Sequence, residues 1–160
     1  MQKPIAIFAG SFDPVTYGHL NIIKRARKIF GPLIVVVMKN GNKNGLFSLK
    51  ERVQLLKKTT ADIPGVTVDT ADGLLADYAK KHQIKILIRA IRSGADTPAE
   101  LEQAHYNRLF NPELETVFLA PGEHMQFISS SAVREIARCG GDLKTLVPLV
   151  VQKVLSEKYR

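Results

Sequence analysis

The stretch Gly10-Ser11-Phe12-Asp13-Pro14-Val15-Thr16-Tyr17-Gly18-His19 closes an apolar run and opens an amphipathic one. Gly18 lets the backbone approach a ligand closely where a helix begins. His19 then falls in the first helical turn, beside free amides and the positive end of the helix dipole. An imidazole placed there can donate a hydrogen bond to a phosphate oxygen; the alternative is a plain surface histidine. Further along, Arg89 and Arg92 follow another apolar run, in Ile88-Arg89-Ala90-Ile91-Arg92. Guanidinium forks at such a point suit phosphate oxygens, unless they are simply solvated loop cations. A third group is Met125-Gln126-Phe127-Ile128-Ser129-Ser130-Ser131. One serine suffices to cap a helix. Three in a row, with the free amides of a helix start, also make an anion site.

Other candidates carry weaker signals. Lys39 and Lys43 flank Gly41 and Asn42 in a loop that ends at Phe47. A lysine there is either solvated or a mobile point charge that closes over phosphates. Leu74 and Leu75, after Asp72-Gly73, open a helix and are either core or an apolar wall for a ligand. Thr97-Pro98-Ala99-Glu100 fits a capping box. Two common phosphate loops, G-x-x-x-x-G-K-[ST] and G-x-G-x-x-G, are missing from the sequence. His19, His82, His105 and His124 are too scattered for a zinc site. No Ser/His/Asp triad suggests itself, and no protein metal site is expected.

Positioning these residues is the work of alternating elements. Strands are expected at Pro4–Gly10, Leu33–Met38, Val66–Asp69, Ile84–Ile88 and Thr116–Leu119. Helices are expected at Gly18–Phe30, Ser48–Ala61, Leu74–His82, Thr97–Leu109, Ser130–Arg138 and Pro148–Lys158. Leu20, Ile23, Ala26 and Phe30 form an apolar stripe on the first helix. The continuous run Leu33–Met38 reads as a strand buried on both faces. Ser48-Leu49-Lys50-Glu51 is a capping box. The alternation predicts an α/β fold: a doubly wound, five-stranded parallel sheet in a single domain over residues 1–160, with the last helices at about 130–158. Ligands of such sheets sit beyond the carboxyl ends of the strands. Every residue singled out above falls in those loops or at the helix starts behind them.

The balance of 23 Lys and Arg against 15 Asp and Glu gives a net charge of +8, which points to polyanionic ligands. Finger spacings, aromatic sheet motifs and lysine-rich tails are missing, so small polyanions are favoured over nucleic acid. No apolar run reaches the ~20 residues of a membrane span. Cys139 is the single cysteine, so no intrachain disulfide forms, in keeping with a cytoplasmic location. No signal segment is read at the N-terminus.

Taken together, Gly-Ser-Phe-Asp-Pro, Thr16-x-Gly18-His19 and Ile128-Ser129-Ser130-Ser131 resemble the signature of the nucleotidylyltransferase superfamily. Within it, the order and spacing of motifs from Ile5 to about Val154 resemble the bacterial phosphopantetheine adenylyltransferases. The resemblance implies transfer of AMP from ATP to 4′-phosphopantetheine, giving dephospho-CoA and pyrophosphate, with Mg²⁺ on the ATP phosphates and a homohexameric assembly. It implies ATP contacts at Ser11, Phe12, His19, Ala90, Ile91, Arg92, Glu100 and Met125, Gln126, Phe127, Ile128, Ser129, Ser130 and Ser131. It implies phosphopantetheine contacts at Ser11, Lys43, Leu75 and Arg89, and a catalytic role for His19. Departures from the family pattern are Ala90 in place of a glycine, Thr97 and Ala99 in place of aromatics, and a loop rich in glycine and asparagine around Lys43. Two rival readings are a sister enzyme using nicotinate mononucleotide or another phosphate acceptor, and a basic nucleic-acid-binding module.

Overall fold

A computed structural model describes residues 5–39 and 45–160 of the chain. Five parallel strands form one sheet: β1 (Ala6–Gly10), β2 (Leu33–Met38), β3 (Val66–Ala71), β4 (Ile86–Ala90) and β5 (Glu115–Leu119). Their spatial order is β3-β2-β1-β4-β5. The chain thus winds outward from β1 through β2 to β3, then returns to the other side of β1. Ala6 pairs with Leu33 on one side and with Ile86 on the other. This reversal of winding direction opens a crevice at the carboxyl ends of β1 and β4.

Alternation of side chains divides the core in two. Ala6, Phe8, Val35, Val37 and Ile88 face one way. Against them pack α1 (Tyr17–Phe30), α2 (Leu49–Thr60), α5 (Ser130–Arg138) and α6 (Leu149–Lys158), through Leu20, Ile23, Leu56, Val133, Val151 and Leu155. Ile7, Ala9, Val36 and Leu87 face the other way, toward Ala79 of α3 (Leu75–Lys81) and Leu114. Both faces of the central strands are covered, which explains their unbroken apolar sequence. The remaining helix, α4 (Thr97–Phe110), lies beside α3 and β5 and buries none of its residues.

Helix starts are locally specified. Thr16 caps α1 and Ser48 caps α2, each in a reciprocal box with the residue three further on. The box expected at Thr97 does not form. Asp96 takes the cap position, without a side-chain cap bond, and Glu100 is drawn away by an arginine. β4 also runs two residues further than its apolar pattern suggests, so Arg89 stands on the strand rather than in the loop behind it.

Candidate active site

The crevice holds a cavity of about 320 Å³, within the size of small-ligand pockets (~300–1,000 Å³). Its walls come from the end of β1, the start of α1, the end of β4 and the segment leading into α5. Of the residues expected to meet ATP, Ser11, Phe12, His19, Ala90, Arg92, Met125, Ile128, Ser129, Ser130 and Ser131 line it, together with Arg89. Ile91, Glu100, Gln126 and Phe127 do not. Ile91 extends the β4–β5 pairing through its N–H to the Leu119 carbonyl, and Phe127 is exposed. Gln126 and Phe127 belong to a single 3₁₀ turn, Met125–Phe127, that the sequence reading missed. Lys43 lies outside the described residues.

The turn after β1 is tightly constrained. Phe12 has φ 48, a left-handed backbone that costs a bulky residue energy and is held only by its surroundings. Its ring is buried, edge-on to Phe8 at 5.5 Å and to His19 at 4.9 Å. Ser11 remains exposed at the cavity rim, its carbonyl accepting from Arg52 Nη1 at 2.7 Å. Arg52, buried in α2, also donates to the Met38 carbonyl. The carboxylate of Asp13 accepts from the Leu46 and Phe47 amides at 2.9 Å each. Gly18 sits at a close approach: a Cβ there would meet the Ile128 carbonyl at 3.1 Å, tighter than an ordinary contact.

His19 is oriented by its own cap. The Thr16 N–H donates to His19 Nδ1 at 3.0 Å, while the His19 N–H donates to Thr16 Oγ1. With Nδ1 accepting, the neutral ring carries its proton on Nε2, away from the cap. Burial, and then the charge of Arg92, lower the His19 pKa to about 4. The ring is therefore neutral at physiological pH and offers one N–H donor. Thr16, fully buried, enters the sequence reading only as part of the Thr16-x-Gly18-His19 signature; its role as the cap that orients the ring is not anticipated there.

Both cavity arginines are already paired. Arg89 gives Nε and Nη2 to the two Glu100 oxygens at 2.7 Å each, and Nη1 to the Ala9 carbonyl at 2.8 Å. Arg92 pairs with Asp96 at 3.1 Å. The serines are engaged as well. Ser129 Oγ accepts from the Ala132 amide as the cap of α5, and Ser130 Oγ donates to the Pro14 carbonyl at 2.8 Å. Ser131 Oγ accepts from Arg134, which also donates to the Asp13 carbonyl. What α5 offers an anion is therefore chiefly its first-turn amides, which have no carbonyl within the helix to bond.

A second cavity, about 350 Å³, adjoins the first through shared Ala9 and Arg89. Leu75 lines it with Leu74, Met38, Tyr106 and Phe110. The aromatic side of α4 was missed because its apolar pattern reads equally well as core. No carboxylate lines the first cavity, and no group of metal-ligating side chains occurs among the described residues. A divalent ion here would be carried by phosphate oxygens of a ligand rather than by protein carboxylates.

The geometry is that of an α/β domain with a crevice at the strand ends walled by His19, Arg89, Arg92 and a helix start, and a mainly apolar annex beside it. The cytidylyltransferase-like family model matches residues 7–136. A phosphopantetheine adenylyltransferase from Caldanaerobacter subterraneus subsp. tengcongensis is 47% identical over 156 residues, covering 98% of each chain. Another from Dictyoglomus turgidum is 48% identical over 155 residues, covering 97% of each. The chain belongs to the cytidylyltransferase-like family and, within it, to the phosphopantetheine adenylyltransferases.

Proposed function

We propose that this chain transfers the adenylyl group of ATP to the phosphate of 4′-phosphopantetheine, releasing pyrophosphate. The observation that carries the reading is the juxtaposition of two cavities across Arg89, one walled by His19, Arg92 and the start of α5, the other mainly apolar but carrying Gln103 and Asn107. A triphosphate fits the first and the pantetheine arm fits the second, so their reactive phosphates meet between them.

An oxygen of the acceptor phosphate attacks the α-phosphorus, and the bond from that phosphorus to the bridging oxygen of the β-phosphate breaks. The attacking oxygen is already anionic, so no proton needs to be removed, and positioning with charge stabilisation does the catalysis. His19 Nε2–H donates to an α-phosphate oxygen as charge builds there. Ser11 and Arg89 hold the acceptor phosphate, and Glu100 fixes the plane of the Arg89 fork. Arg92 and the amides of Ser129–Ser131 hold the departing pyrophosphate. Ala90, Ile91 and Met125–Ile128 flank the nucleotide, and Leu75 lies along the arm. Mg²⁺ bound through the ATP phosphates would offset their charge, and no described side-chain cluster would be needed to hold it.

The family resemblance supports a homohexamer, and the single cysteine supports a cytoplasmic setting. No described helix is long and apolar enough to cross a membrane. The reaction is tested by pyrophosphate release with ATP, Mg²⁺ and either 4′-phosphopantetheine or nicotinate mononucleotide. Release with the first alone is expected; release with the second alone would overturn the assignment of acceptor.

A further inference from the structure

Arg52 stands near the start of α2 and is 8% exposed. Among the described residues it has no ion-pair partner. A buried cation without a carboxylate is costly, and the positive end of a helix dipole adds to the cost. Its Nη1 donates to the Ser11 carbonyl at 2.7 Å and to the Met38 carbonyl at 3.2 Å. Its Nε is buried and meets no acceptor. Two carbonyls accept as readily from a neutral donor, so they do not account for a full charge at this place.

The two carbonyls belong to the walls of different cavities. Ser11 rims the crevice and Met38 lines the annex, whereas Arg52 lines neither. The Ser11–Phe12 peptide is trans, so its C=O and N–H point in opposite directions. With the carbonyl drawn back to Arg52, the Phe12 N–H is turned away from α2, and Phe12 lines the crevice. No carbonyl among the described residues accepts that N–H. We propose that Arg52 is a positioning residue for phosphate binding: it holds the Ser11–Phe12 peptide with its N–H presented to an anion in the crevice, and its charge stands behind that donor. Arg52 acts through the peptide and touches no substrate. The anion that occupies the crevice supplies the negative charge that the surrounding side chains do not. The inference rests on the reading that the crevice takes the ATP phosphates.

The test joins NMR to kinetics. With isotope on the seven phenylalanine amides, Mg²⁺ with ATP, or inorganic pyrophosphate alone, is titrated into wild type and variants. The Phe12 signal is expected to move in wild type with either ligand and to stay in place in Arg52→Met. Turnover of Arg52→Met should fall on the order of tenfold to a hundredfold, the effect of a small misplacement at a reacting centre. Arg52→Lys keeps the charge and should recover part of both losses. A wild-type Phe12 signal that ignores both ligands overturns the proposal. So does a folded Arg52→Met with near-normal turnover, or an Arg52→Lys no better than Arg52→Met. Lost turnover matched by a lost folded fraction would make Arg52 a staple only, and also overturns it. Should Arg52→Met not fold, the wild-type titration and Arg52→Lys against wild type still decide. If wild type releases no pyrophosphate from ATP and phosphopantetheine while Phe12 still answers inorganic pyrophosphate in an Arg52-dependent way, the reaction is wrong and the role of Arg52 stands.

Discussion

His19 meets the cavity as a neutral donor, and its position is secured by a backbone amide rather than by a carboxylate. Removing one such donor from a transition state costs on the order of 10²–10³ in turnover. His19→Ala should lose about that much kcat with its melting curve little changed; near-normal turnover would end the catalytic assignment. The ring also makes a pH prediction. Its folded pKa is lowered to about 4 from the ordinary 6.5, so between those values the unfolded chain binds more protons. The stability contributed is complete above pH 6.5 and is lost as pH falls toward 4. Urea midpoints across that window should flatten in His19→Gln. By NMR the ring should titrate near 4, and Arg92→Gln should raise it only part of the way, because burial is the larger cause. A wild-type ring titrating in the usual histidine range would contradict this. Arg89 faces both cavities. Arg89→Ala should therefore raise KM for phosphopantetheine several-fold more than KM for ATP; equal effects would count against its placement on the acceptor.

At the scale of elements, the cavity walls are held by ties between segments far apart in sequence. Asp13 collects the Leu46 and Phe47 amides ahead of α2. Asp13→Ala orphans both and should cost roughly 2–6 kcal/mol, at ~1–3 kcal/mol for each unsatisfied group, read as a lowered urea midpoint. Stability within about 1 kcal/mol of wild type would mean water replaces the carboxylate. Much of this architecture was legible beforehand. Apolar runs and cap residues located all five strands and six helices, because burial on two faces and local capping each leave a direct mark on sequence. That the serine cluster, His19 and Arg92 share one cavity followed from their places at strand ends and helix starts. Interactions made by tertiary partners were not legible. Glu100 looked like the end of a capping box, yet the Arg89 guanidinium claims both its oxygens. Strand β4 continued through Arg89 because pairing with Phe118 of β5 overrides the loss of apolar pattern. Nothing in the type of Phe12 announces a left-handed backbone, which the buried contacts of its ring impose.

For the whole molecule, the crevice draws its walls from segments spread between Phe8 and Ser131, so a ligand bound there should stabilise the entire fold rather than a single segment. ATP with Mg²⁺ at 100 times its Kd contributes about 2.7 kcal/mol. For a chain of this size that corresponds to a rise of roughly 5–10 °C in Tm. Scanning calorimetry should show one cooperative transition moving by that amount, and a smaller shift with CTP. An unmoved transition at saturating ATP would refute the crevice as its site. The net charge of +8 fits such a ligand set without requiring nucleic acid; a salt-sensitive gel shift would argue otherwise.

The central place of β1 bears on the birth of the protein. This first strand is flanked by β2 on one edge and by β4 on the other, Ala6 lying beside Ile86. Synthesis proceeds from the N-terminus, so a nascent chain on the ribosome presents β1 with one edge unclosed until more than half the polypeptide has emerged. During that interval the edge can pair with a stray strand. The crevice comes into being only when β4 settles, and its floor waits longer still, for the serine-led helix α5. Substrate can thus act as a late clamp on maturation but cannot seed it.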